Sequence, residues 1–204
     1  MNKITGAHNK KIDEKPLTSK QLLCETCNSC LLVIDIQTRL TAAMPAKVLD
    51  RLKRNSSMLL KTANLLSIPV FVSQQYPKGL GPVEPDIETL LPDNHKHYEK
   101  TCFSCVNLDK FMQDLHNSGR KQIIIIGLEA HVCVLQTAMD LYSSGYNVFV
   151  VLDAVCSRQR ENYENAMQRL QYSGITVCNS ESVLFEWLRD ADHKQFKTVS
   201  SLIR

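Results

Sequence analysis

Apolar positions along this chain fall into two regimes. Short unbroken runs of apolar, often β-branched residues (Leu31-Leu32-Val33-Ile34, Ile68 to Val72, Ile123 to Ile126, Asn147 to Leu152 and Ile175 to Cys178) read as buried strands. Longer segments between them repeat one apolar face at helical spacing. A helix opened by Pro45 runs through Val48, Leu49, Leu52, Leu59, Ala63 and Leu66. Further helices are expected over Leu108 to Leu115, behind Cys133 to about Gly145, over Glu161 to Tyr172 with Gly174 as C-cap, and through Val183, Leu184 and Trp187. Strands alternating with helices imply right-handed crossovers. The expected fold is a single doubly wound α/β domain: a mainly parallel sheet with helices on both faces, a Rossmann-like three-layer sandwich. Residues 1–29 read as a flexible leader, 30–190 as the domain and 191–204 as a C-terminal tail. The stretch holding Pro77, Gly79, Gly81, Pro82, Pro85 and Pro92 reads as a long irregular loop of the kind that covers a site.

Composition narrows the classes. The 204 residues carry 24 basic and 21 acidic side chains, a formal net charge of +3, with 44% hydrophobic residues. That excess is small and no basic stripe interleaves with aromatics, so nucleic acid is not an expected partner. No apolar run reaches the length of a membrane span, and no signal-peptide core opens the chain. A leader with Asp13 and Glu14 among its lysines does not resemble a transit peptide, so the expected compartment is the cytoplasm rather than the mitochondrion. The eight cysteines are then expected as thiols. Cys24-x-x-Cys27-x-x-Cys30 lacks a partnering Cys/His pair at zinc-ligand spacing, and neither metal nor cofactor is expected.

Three residues occupy places where chemistry concentrates in an open α/β sheet. Asp35 ends the first strand, Lys100 follows the Pro-rich loop, and Cys133 lies where the isoleucine strand turns into a helix. Helix amides at such an elbow favour a thiolate. A carboxylate accepts a thiol's proton, and an ammonium compensates the carboxylate's desolvation.

The blocks Leu32-Val33-Ile34-Asp35-Ile36-Gln37, Lys100-Thr101-Cys102-Phe103-Ser104 and Gly127-Leu128-Glu129-Ala130-His131-Val132-Cys133-Val134 resemble, in order, the signature blocks of isochorismatase-like cysteine hydrolases. Tyr76 to Pro82 and Asp153 to Arg158 are most similar to the eukaryotic isochorismatase-domain-containing branch. The resemblance implies Cys133 as nucleophile, Asp35 as general base and Lys100 as the residue that holds charge and orientation. The substrate would be a small amide-like carbonyl compound, cleaved through a thioester. It also implies a cis peptide at Leu128–Glu129 that aims the Glu129 and Cys133 amides at one oxyanion. By position, Gln37, Tyr76, Phe103 and His131 are candidate pocket residues, His131 equally a helix cap. Nicotinamidases of the same superfamily hold a metal through an Asp-x-His after the second strand. Here Ser73-Gln74-Gln75-Tyr76 stands instead, and His95 and His97 are loop residues. A homo-oligomer, dimer or tetramer, is expected. The readings of another class are a weakly catalytic interaction or scaffolding protein, and a flavodoxin-like nucleotide module. The latter lacks a Gly-rich phosphate loop after the first strand.

Overall fold

The computed structural model describes residues 22–203. Six strands form one wholly parallel sheet: β1 (Ser29–Ile34), β2 (Val70–Gln75), β3 (Lys96–Lys100), β4 (Gln122–Gly127), β5 (Asn147–Val155) and β6 (Thr176–Cys178). Their spatial order is β3-β2-β1-β4-β5-β6. Every residue of β1 and β4 is buried. Their unbroken apolar sequences belong at the centre of a sheet covered on both faces.

Six helices cover the sheet: α1 (Ala46–Leu65), α2 (Asp109–Asn117), α3 (Leu135–Ser143), α4 (Arg160–Tyr172), α5 (Ser180–Leu188) and α6 (Phe196–Ser201). One buried cluster joins Leu52, Leu59 and Ala63 of α1 to Val33, Ile124 and Trp187. The other joins Phe111, Leu141 and Leu170 of α2, α3 and α4 to Leu32, Ile125 and Val150. Alternate side chains of β1 and β4 divide between the two, as the two-residue period of a strand requires.

The edge strand β3 was not expected. Its sequence, Lys-His-Tyr-Glu-Lys, buries only Tyr98 and Lys100, too little apolar signal for a periodicity reading. With Pro77–Leu80 and Pro85–Glu88 each forming one helical turn, the expected loop is largely structured. Residues 1–21 of the expected leader lie outside the described residues. Packing extends beyond the 30–190 span. Cys24 is fully buried with its amide on Glu186 Oε2 at 2.6 Å, and the α6 residue Val199 is also fully buried.

Pairing registers set the heights at the carboxyl edge. Ile34 lies level with Ser73 and Gly127, while Gln75, two residues further along β2, lies level with Lys100. Asp35 just past β1, the last residues of β2 and β3 (Gln75 and Lys100) and the turn that follows β4 therefore converge on one edge. Gly127 makes that convergence possible. Its φ of 126° is closed to L side chains, and a Cβ there would collide with the Ile34 carbonyl.

Candidate active site

Asp35 leaves β1 in a left-handed conformation, φ 51°, which an aspartate tolerates better than a bulky residue. Its amide donates to the Ser73 carbonyl at 3.1 Å and its Oδ1 accepts from Ser73 Oγ at 2.7 Å. Its Oδ2 accepts from Lys100 Nζ at 2.6 Å, and neither side chain of this ion pair is exposed. Lys100 Nζ also donates to Gln75 Oε1 at 2.8 Å, and Cys133 Sγ approaches the same oxygen at 3.9 Å. The structure thus brings Asp35, Lys100 and Cys133 together, with Gln75 in contact with the last two.

Charge on these groups is coupled. Burial works against the Lys100 ammonium, but the negative charge of the Asp35 carboxylate works the other way, and Lys100 titrates above its ordinary value. Burial, then the Asp35 charge, push the Cys133 thiol well above the ordinary cysteine value, against the opposing pull of Lys100. The expectation that helix amides favour the thiolate is therefore corrected. Cys133 sits inside a π-helical turn, Ala130–Val134, that precedes α3, and it is only 5% exposed. Desolvation dominates there, and the resting group is a thiol.

The expected cis bond is a second correction: no peptide is cis among the described residues, Leu128–Glu129 included. The trans form of a non-proline peptide is lower by about 3–4 kcal/mol. The Glu129 amide has no hydrogen-bond partner among the described residues. Its carboxylate is held by Arg158, whose backbone amide and Nε donate to Oε2 at 3.2 and 3.3 Å, with Nε 3.0 Å from Oε1.

The expected pocket residues divide. Tyr76, 53% exposed and strained at φ 36°, lines a cavity of about 520 Å³ with Lys100, Thr101, Cys102 and Leu108. Phe103, 50% exposed, does not line that cavity. Gln37 is fully buried and works as a clamp. Its Nε2 donates to the carbonyls of Gln75 (3.0 Å) and Gly81 (2.7 Å), and its Oε1 accepts from the Gln75 amide at 2.7 Å. Rather than capping a helix, the His131 ring lies 2.9 Å from Ser157 Oγ. Another cavity of about 520 Å³, lined by Ser67, Val70, Lys96 and Asp114, lies at the amino ends of β2 and β3, away from this chemistry.

Gln75 and Ser73 were missed. The available signal was a polar triplet, Ser73-Gln74-Gln75, continuing an apolar strand to the edge where ligands bind. No group of three or more His, Cys, Asp or Glu able to hold a metal occurs among the described residues. His97 Nε2 contacts Gln74 Oε1 at 2.7 Å, and the His95 ring contacts the Pro92 carbonyl at 2.8 Å. No helix among the described residues is long and apolar enough to cross a membrane.

Residues 29–182 match the isochorismatase domain family. The chain is 38% identical over 151 residues to isochorismatase domain-containing protein 2 of Bos taurus, covering 73% of this chain and 71% of that protein. Among solved structures it resembles the MAR1 ribonuclease of Caenorhabditis elegans, with TM-score 0.84 and 35% identity over 89% of this chain and 92% of that one. An octameric hydrolase of unknown specificity from Escherichia coli shares the fold at TM-score 0.82 and 23% identity, covering 93% and 92%.

Proposed function

The chain belongs to the isochorismatase family, a hydrolase superfamily, and from that premise we propose that it is a metal-independent cysteine hydrolase of small amide-like substrates. The observation that carries the reading is the fully enclosed Asp35–Lys100 ion pair at 2.6 Å, to which Cys133 is joined through Gln75 Oε1. An ion pair removed from water is costly unless its geometry is used. At a strand edge beside a thiol, its use is to move a proton.

In the proposed reaction Asp35 takes the thiol proton as Cys133 Sγ attacks the substrate carbonyl. A C–S bond forms and the carbonyl π pair moves to oxygen, where the Glu129 and Cys133 amides receive it. Collapse breaks the C–N bond, and the proton held by Asp35 leaves with the amine. Water then attacks the thioester, giving one proton to Asp35, and that proton returns to sulfur as the acid departs. Lys100 keeps the carboxylate oriented and offsets its charge, which otherwise opposes formation of the thiolate. The donor set supports a metal-independent route: Ser73 and Gln75 stand where an Asp-x-His would supply ligands, and both Asp35 oxygens are already engaged.

Iodoacetamide labelling tests the assignment. At neutral pH, Cys133 should be alkylated faster than the buried Cys24, Cys30, Cys105 and Cys156. Equal rates for all five thiols would sink the nucleophile assignment. The ribonuclease activity in the worm protein's name would take precedence only if RNA cleavage by this chain depended on Cys133. A homo-oligomer, as in the octameric bacterial neighbour, belongs to the same proposal and is checked by sedimentation.

A further inference from the structure

On the other flank of the carboxyl edge lies a cavity of about 340 Å³, walled by Pro45, Val48 and Arg51 at the start of α1, Cys156 and Ser157 after β5, and Tyr163 on α4. Two observations make it more than a surface dent. The Arg51 Nε–H is buried and has no hydrogen-bond partner among the described residues. No carboxylate among those residues pairs with the Arg51 guanidinium either. The acid at the cavity mouth, Glu164, is occupied by Arg160 at 2.6 Å. Asp153, at the end of β5, accepts from the Ser180 amide and hydroxyl at 2.8 Å each. A buried guanidinium donor without a partner costs stability, and a planar carboxylate is the group whose geometry matches it.

We propose that this cavity is a binding site for a small organic carboxylate, its acid group on Arg51 and its apolar body against Val48, Pro45 and the Tyr163 ring. The site is separate from the cleft beside Lys100 and does not depend on the catalytic reading. The volume accommodates a ligand of roughly ten heavy atoms, the lower end of small-molecule sites. Its wall reaches the catalytic elbow, because the Ser157 hydroxyl in the cavity is the 2.9 Å partner of His131, two residues before Cys133.

The test uses benzoate and its neutral isostere benzamide in calorimetric titrations of the full chain. Benzoate should bind saturably, and benzamide at least about 10-fold more weakly, the value of a charge-assisted pair. Arg51→Gln and the cavity-filling Val48→Phe should each weaken benzoate by about 10-fold or more, while Cys133→Ala leaves it unchanged. Two variants of different chemistry, one removing the charge and one filling the space, guard against a folding defect in either. Absence of saturable benzoate binding, equal binding of benzamide, or affinity retained in both variants overturns the proposal. So does Arg51→Gln dissociating a native oligomer, which would make the cavity a subunit contact.

Discussion

Replacing one member of the Asp35–Lys100 pair should cost far more than replacing both. At 2.6 Å, with an effective dielectric constant of about 20, the two charges attract by about 6 kcal/mol. Desolvating two ions costs several kcal/mol each, so the pair as a whole is close to neutral for stability. Asp35→Asn strands a buried ammonium and Lys100→Met strands a buried carboxylate. Each should lower unfolding free energy by about 3–5 kcal/mol. The double variant leaves no unpaired charge, and Met fills much of the volume of the lysine stem. It should therefore be more stable than either single variant, with a coupling energy of about 3 kcal/mol or more. Urea unfolding of the four proteins at pH 7.5, with m-values checked for constancy, gives these quantities directly. Single variants within about 1 kcal/mol of the native protein would refute the enclosed ion pair. So would a double variant whose loss equals the sum of the singles.

Alkali should destabilise the protein. Burial pushes Cys105 up to about 11 and Cys30, Cys156 and Cys178 up to about 12, from an ordinary 9.0. With folded values raised, the unfolded chain loses these protons first, so the contribution is intact below pH 9 and is lost as pH rises toward 11–12. Each thiol contributes a slope of about 1.4 kcal/mol per pH unit, and a fall of at least about 3 kcal/mol from pH 8 to 10 in reducing buffer is expected. A flat urea midpoint over that range would contradict the burial argument. Gln75→Leu removes the second acceptor of Lys100 Nζ and should cost about 1–3 kcal/mol by urea unfolding, with slower alkylation of Cys133. Gly127→Ala forces a Cβ into the Ile34 carbonyl at φ 126° and should cost more than about 3 kcal/mol, read the same way.

The central sheet was legible because β1, β4 and β5 carry long apolar runs whose burial leaves no other reading. β3 was not, since an edge strand with two inward residues has almost no apolar period. Asp35 and Cys133 could be placed from strand ends alone, and Lys100 was identified although its strand was missed. Gln75 was invisible for a different reason. Its contact with Lys100 and Cys133 follows from β2 extending two residues past β1, a register that periodicity does not encode. The trans Leu128–Glu129 bond and the protonated resting thiol likewise depend on local geometry and burial. Motif resemblance carries neither. Cys24 and Val199 pack from segments too short or too polar to register as elements.

The central claim is that the Cys133 sulfur forms the bond to the substrate's acyl carbon. Ammonia release from a panel of small primary amides, compared between the native chain and Cys133→Ala, addresses it most directly. The account predicts release by the native protein from at least one amide, reduced about 1,000-fold or more by the substitution, with Asp35→Asn similarly impaired. Release that persists in Cys133→Ala would contradict it and move the chemistry to another residue.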